Sequence, residues 1–128
     1  MARILIVDDE QSDRVVFGSI VERAGHEVHF ASYGVQALNI FERMSIDVVI
    51  TDLDMPHVDG LELIGALRVM YPGTAIIAVS GKGPDQLAKT KIRGALTALS
   101  KPVDAHELLE AIAKAVPDSP DVARTDVS

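Results

Sequence analysis

Asp8, Asp9, Asp52, Ser80 and Lys101 are the residues of this 128-residue chain whose types and placement suggest chemistry. Each closes or follows a short apolar run. Asp8-Asp9 come after Ile4-Leu5-Ile6-Val7, and Asp52 after Val48-Val49-Ile50-Thr51. Ser80 comes after Ile76-Ile77-Ala78-Val79, and Lys101-Pro102 after the segment around Leu99. If those runs are neighbouring parallel strands, all the signals open on one edge of one sheet, where open α/β folds bind ligands. Carboxylates gathered there repel one another and raise at least one pKa unless a positive charge intervenes. Mg²⁺ is the natural choice, since it takes oxygen ligands, keeps several waters and admits a phosphate oxygen. A carboxylate can also attack phosphorus to give an aspartyl phosphate. Phosphoryl transfer then needs mainly positioning and charge neutralisation, to which the Lys101 ammonium and the Ser80 hydroxyl are suited.

The elements that must hold these residues follow from periodicity. Residues 3–8, 27–31, 47–51, 74–79 and 96–100 read as strands. Between them lie helical patterns. The first covers residues 12–24, with Val16, Ile20 and Ala24 plus Phe17 and Val21 as its apolar face and Gly25 just past its end. The second, 34–44, carries Leu38 and Phe41; the third, 60–70, carries Leu63, Leu67 and Met70. A fourth is expected from Pro84 to Gly94, and a fifth from Asp104, where Asp104 and Glu107 resemble a capping box, to just before Pro117. Five strands alternating with five helices imply an α/β three-layer sandwich around a parallel sheet. Right-handed crossovers leave few topologies, and the flavodoxin-like order 2-1-3-4-5 leads by analogy. That order sets the ends of strands 1 and 3 side by side.

Length and 48% hydrophobic content suit one folded domain over residues 1–116, with 117–128 as a solvated tail or the start of a linker. No cysteine is present, which excludes a disulfide framework and a thiolate metal site. No apolar run approaches a membrane span, and the first ends in two aspartates, unlike a signal peptide. A cytoplasmic home is the expectation. A net charge of -7 and only 4% aromatic residues argue against direct nucleic-acid binding.

Together, Asp8-Asp9, the run Asp52-Leu-Asp-Met-Pro-His-Val-Asp-Gly60, Ser80 and Lys101-Pro102 resemble the receiver domain of two-component response regulators. The likeness runs from residue 1 to about 116 in order and spacing. It implies that Asp52 accepts phosphate from a sensor histidine kinase or histidine phosphotransfer protein. It further implies that Asp9 binds Mg²⁺ directly, that Asp8 assists through water, and that the Asp54 backbone carbonyl is another ligand. Ser80 would be the switch hydroxyl and Lys101 the phosphate-pairing lysine, with a cis bond before Pro102. The resemblance also makes Val15, Val16 and Pro102 candidate contacts for the phosphodonor. Asp54 and Lys82 would pair across the site and tune the phosphoryl lifetime.

The chain departs from the family at Ala98, where receivers commonly carry an aromatic ring three residues before the lysine. Without that ring the usual rotamer readout is missing, and movement of the loop from Gly81 to Pro84 is the expected substitute. A strand-end aspartate alone is often a helix cap, and a lone serine or lysine is ordinary surface; only the constellation lifts them. His26, His29, His57 and His106 lack ligand spacing and read as surface residues. Lys89, Lys91 and Arg93 read as a solvated face. One rival function is a receiver-like interaction module that works without phosphorylation. The other is a haloacid-dehalogenase-like phosphatase, which Asp52-Leu-Asp54 resembles, although Pro56 stands where that family wants threonine.

Overall fold

Apolar side chains at both parities of the central runs dictate a sheet covered on two faces, because alternate residues of a strand point to opposite sides. The structure, a computed structural model, describes residues 1–54, 60–81 and 94–116, excepting the side chains of residues 60 and 61. Its elements are β1 (Arg3–Val7), α1 (Gln11–Arg23), β2 (Glu27–Ala31), α2 (Gly34–Arg43), β3 (Val48–Asp52), α3 (Gly60–Met70), β4 (Ala75–Ser80), β5 (Thr97–Ser100) and, last in the chain, α4 (Ala105–Ala115). The helix expected over 84–94 lies outside the described residues.

The strands form one five-stranded sheet in the order β2-β1-β3-β4-β5. All four pairings are parallel. On one face Ile4, Ile6, Val48, Ile50, Ile77 and Val79 pack with Phe17 and Val21 of α1 and Leu108 and Ile112 of α4. On the other Leu5, Val7, Val49, Ile76 and Ala78 pack with Ile40 and Phe41 of α2 and Leu63, Ile64 and Leu67 of α3. Each such Leu, Ile or Val contributes about 1.5–3 kcal/mol relative to leaving it exposed.

The stripe on α1 is narrower than its periodicity suggests. Phe17 and Val21 reach the core, whereas Val16 is 53% exposed and Ala24 is exposed. Val16 and Ile20 are rotated toward α4, where they and Leu109 line a groove of about 470 Å³. Met70 ends α3 in solvent rather than in the core. A Cβ at Gly18 would sit 2.6 Å from Cζ of Phe30, so glycine is what lets the Phe30 ring lie across α1. Gly25 terminates α1 with φ 95°, a conformation that L side chains rarely adopt.

Helix α4 starts as its sequence signature requires: the Asp104 side chain accepts a hydrogen bond from the Glu107 backbone N–H at 3.2 Å. Asp104→Ala leaves that donor to water and is expected to cost about 1 kcal/mol. A urea midpoint equal to that of the wild type would contradict this. Among the described residues no helix is long and apolar enough to cross a membrane.

Candidate functional site

The sheet order brings the C-terminal ends of β1, β3, β4 and β5 to one edge. Register places Val7 beside Thr51, Asp52 beside Val79 and Ser80 beside Ser100. Backbone bonds extend the ladder past the strand ends and fix the loops that follow. Asp8 N donates to Ala31 O at 3.1 Å, Leu53 N to Val79 O at 2.9 Å and Lys101 N to Ser80 O at 2.9 Å. The Lys101–Pro102 bond is cis.

Four side chains foreseen from the sequence, those of Asp8, Asp9, Asp52 and Lys101, therefore meet, and Ser80 ends the neighbouring strand β4. Asp8, Asp9 and Asp52 each offer a carboxylate oxygen, all within 4.8 Å of one another. Asp8 is only 1% exposed and Asp52 3%, while Asp9 is open to solvent. Asp52 Oδ1 accepts the Asp54 backbone N–H at 3.0 Å, and its Oδ2 lies 3.4 Å from Lys101 Nζ. Asp8 Oδ1 accepts the Glu10 N–H at 2.9 Å. Asp8 Oδ2 lies 3.6 Å from Lys101 Nζ, and among the described residues it is the one buried side-chain polar atom with no hydrogen-bond partner.

Electrostatics agree with the geometry. Burial pushes the Asp8 carboxyl up to about 6, and the charge of Asp52 adds to the push; the Glu10 N–H and the Lys101 ammonium offset it in part. Burial works against the charged form of Lys101, yet its hydrogen bond to Asp13 and the charges of Asp52 and Asp8 hold its pKa above the ordinary lysine value. An unpartnered buried carboxylate oxygen, facing two further carboxylates at a solvent-open edge, is a group that could hold a hard cation.

Two features were not foreseen. Asp13, in the first turn of α1, accepts a hydrogen bond from Lys101 Nζ at 3.0 Å. Its place in the first helical turn, where an acidic side chain is favoured, was the available signal, and it names no partner. Asp54 turns its carboxylate inward: Oδ1 accepts from the Ser80 hydroxyl at 3.3 Å and Oδ2 from the Gly81 N–H at 3.1 Å. The pairing expected between Asp54 and Lys82, the loop after Gly81, His57 and the Lys89–Arg93 face lie outside the described residues.

Ala98 is partly buried in β5 against the Leu5 side of the core. Of the three described histidines none belongs to the acidic group, and two are more engaged than surface residues would be. His26 Nδ1 accepts the Ala2 N–H at 3.0 Å, and His29 Nε2 lies 2.6 Å from Glu27 Oε2, which also pairs with Arg3 Nε at 2.7 Å. His106 alone of the three described is exposed, and its Nε2 lies 3.4 Å from Glu110 Oε2.

Residues 4–113 match the model of the response regulator receiver domain family. The chain is 32% identical over 116 residues to sporulation initiation phosphotransferase F of Bacillus subtilis (strain 168), covering 90% of this chain and 94% of that one. It is 33% identical over 120 residues to the transcriptional regulatory protein GlrR of Escherichia coli (strain K12), covering 92% of this chain but only 27% of that longer protein. Among solved structures, a response regulator receiver domain protein from Clostridium thermocellum superposes with a TM-score of 0.87 at 34% identity, over 95% of this chain and 99% of the other.

Proposed function

The chain belongs to the response regulator receiver domain family of two-component signalling proteins, and from that premise we propose that it takes a phosphoryl group onto Asp52. The observation that carries the reading is the placement of Asp52: buried at the end of β3, one oxygen held by the Asp54 N–H and the other 3.4 Å from an ammonium. The donor is phosphohistidine on a sensor histidine kinase or a histidine phosphotransfer protein. A carboxylate oxygen of Asp52 forms the new P–O bond as the donor's P–N bond breaks, and the bonding pair returns to the imidazole nitrogen. Lys101 pairs with the phosphoryl oxygens, and Ser80, leaving Asp54, donates its hydroxyl to one of them. The carboxylates of Asp8, Asp9 and Asp52, with the Asp54 backbone carbonyl, would hold Mg²⁺, which when bound would supply charge that neutralises the gathered anions. Water later attacks phosphorus, releasing inorganic phosphate and restoring the Asp52 carboxylate.

The domain is a signalling switch, and its own residues carry out both its phosphorylation and its dephosphorylation. The two populations are read by a protein partner. Donor docking uses the exposed start of α1 and the β5–α4 connection. There Val15 is 61% and Val16 53% exposed, and Pro102 is exposed beside them. A cytoplasmic location follows from kinases that draw on ATP there.

Incubation with Mg²⁺ and acetyl phosphate tests the reading. Intact mass is expected to rise by one phosphoryl group, labile to hydroxylamine. An unchanged mass would favour the phosphorylation-independent module, and turnover of a phosphate ester by catalytic amounts of protein would favour the phosphatase.

A further inference from the structure

The first turn of α1 carries a carboxylate that the proposed transfer does not use, and it holds Lys101 more closely than the proposed acceptor does. Lys101 Nζ is 3.0 Å from Asp13 Oδ2, against 3.4 Å from Asp52 Oδ2 and 3.6 Å from Asp8 Oδ2. Only the Asp13 contact is a hydrogen bond among these three. The Lys101 backbone is pinned to β4 through Ser80 O, so a change of partner is a swing of the side chain alone. Asp13 and Lys101 line a cavity of about 390 Å³ with Val16, Phe17, Pro102 and Val103, which gives the ammonium room between α1 and the site.

We propose that Asp13 is a positioning residue that keeps the Lys101 ammonium at the start of α1 until a phosphoryl group on Asp52 draws it away. The inference rests on the reading of Asp52 as the acceptor. The contest is lopsided once phosphate is present. A phosphoryl group adds negative charge and several strong acceptor oxygens at a buried carboxylate. Asp13 offers one carboxylate, 36% exposed and screened by water and salt. Release costs Asp13 little, because an acidic side chain in the first turn is also stabilised by the helix N-terminus. The outcome is an uncovered negative charge on α1, next to Val16, that was neutralised before phosphorylation. This route from the site to the surface needs no aromatic ring on β5, where Ala98 stands.

Carboxyl-carbon NMR of the magnesium-loaded protein, before and after addition of beryllofluoride as a phosphoryl mimic, tests the exchange directly. The Asp13 carboxyl resonance is expected to move on adduct formation and to stay fixed in Asp52→Asn. If the amides of Asp52, Leu53 and Ser80 report an adduct while Asp13 is unmoved, the inference is wrong although the acceptor reading survives. If no adduct forms, the acceptor reading fails and takes the inference with it. Rates give a second arm. Asp13→Asn should be phosphorylated by acetyl phosphate about two- to fivefold faster than wild type, the rate equivalent of one partly exposed ion pair. Asp13→Glu, which keeps the charge within reach of Lys101, should restore the slower rate. An Asp13→Asn rate at or below wild type, or a glutamate variant as fast as the asparagine one, would overturn the holding role.

Discussion

Asp52→Asn is expected to keep its mass unchanged in Mg²⁺ and acetyl phosphate under conditions that load the wild type. An amide has no anionic oxygen to form the bond to phosphorus, so the rate should fall by more than about a thousandfold. The substitution preserves shape: the side-chain carbonyl still accepts the Asp54 N–H now bonded to Oδ1. It also removes one of the charges that push the Asp8 carboxyl up. The variant should therefore fold, and circular dichroism with a urea midpoint checks that loss of labelling is not loss of structure. Other carboxylates are poor substitutes as acceptors. Both oxygens of Asp54 already accept hydrogen bonds, from Ser80 and Gly81, and Asp9 stands open to solvent without the burial of Asp52. Mass gain on Asp52→Asn equal to wild type would move the acceptor elsewhere and undo the assignment.

The fold and the acidic edge were legible because they depend on patterns that a single sequence carries. Runs such as Ile4–Val7 and Ile76–Val79 are apolar at both parities, which only a doubly covered strand tolerates, and right-handed crossovers do the rest. Strand ends shifted by a residue: Asp52 and Ser80 prove to be the last residues of β3 and β4 rather than the first of their loops. That shift brings the reactive groups inside the hydrogen-bonded register and accounts for their burial. The face of α1 was less legible. Val16, Phe17, Ile20 and Val21 are all apolar, and only the position of α4 decides that Phe17 and Val21 go to the core while Val16 borders a groove. The partners of Lys101 and Ser80 were hidden for a different reason. Asp13 and Asp54 are separated from them by 88 and 26 residues, and side-chain pairing across the edge leaves no periodicity to read.

Metal-free protein is expected to lose stability as pH rises from about 4 to about 6, and Mg²⁺ is expected to return it. The folded Asp8 carboxyl titrates at about 6, against 3.8 as its ordinary value. Below the lower value both folded and unfolded chains carry the proton, and the contribution is fully present. Between the two the folded state still holds a proton that the unfolded chain has released, so stability falls with rising pH. Above about 6 the contribution is gone, a loss on the order of 3 kcal/mol from this group. Burial is the principal cause, since the Asp8 Oδ2 atom has no hydrogen-bond partner to compensate its charge. Proton and cation compete for the same oxygens, so magnesium stabilisation should be small near pH 4 and grow as the carboxylates ionise. At roughly 100 times its Kd the ion should add about 2.7 kcal/mol at neutral pH. Asp8→Asn separates the two effects. In EDTA it should flatten the profile between pH 4 and 6 and exceed the wild type in stability at neutral pH, because a neutral amide keeps the Glu10 N–H bond without the buried charge. In magnesium it should lose most of the ion's stabilisation, because the buried ligand no longer carries a charge. Urea unfolding across pH 4–8, with EDTA or saturating Mg²⁺, distinguishes the cases. A wild-type midpoint indifferent to magnesium at neutral pH would remove the metal site. A flat metal-free profile that Asp8→Asn leaves unchanged would show that Asp8 ionises without cost. Where both expectations hold, the buried carboxylate whose ionisation weakens the metal-free fold is also a ligand of the cation, which ties the instability of the site to its use.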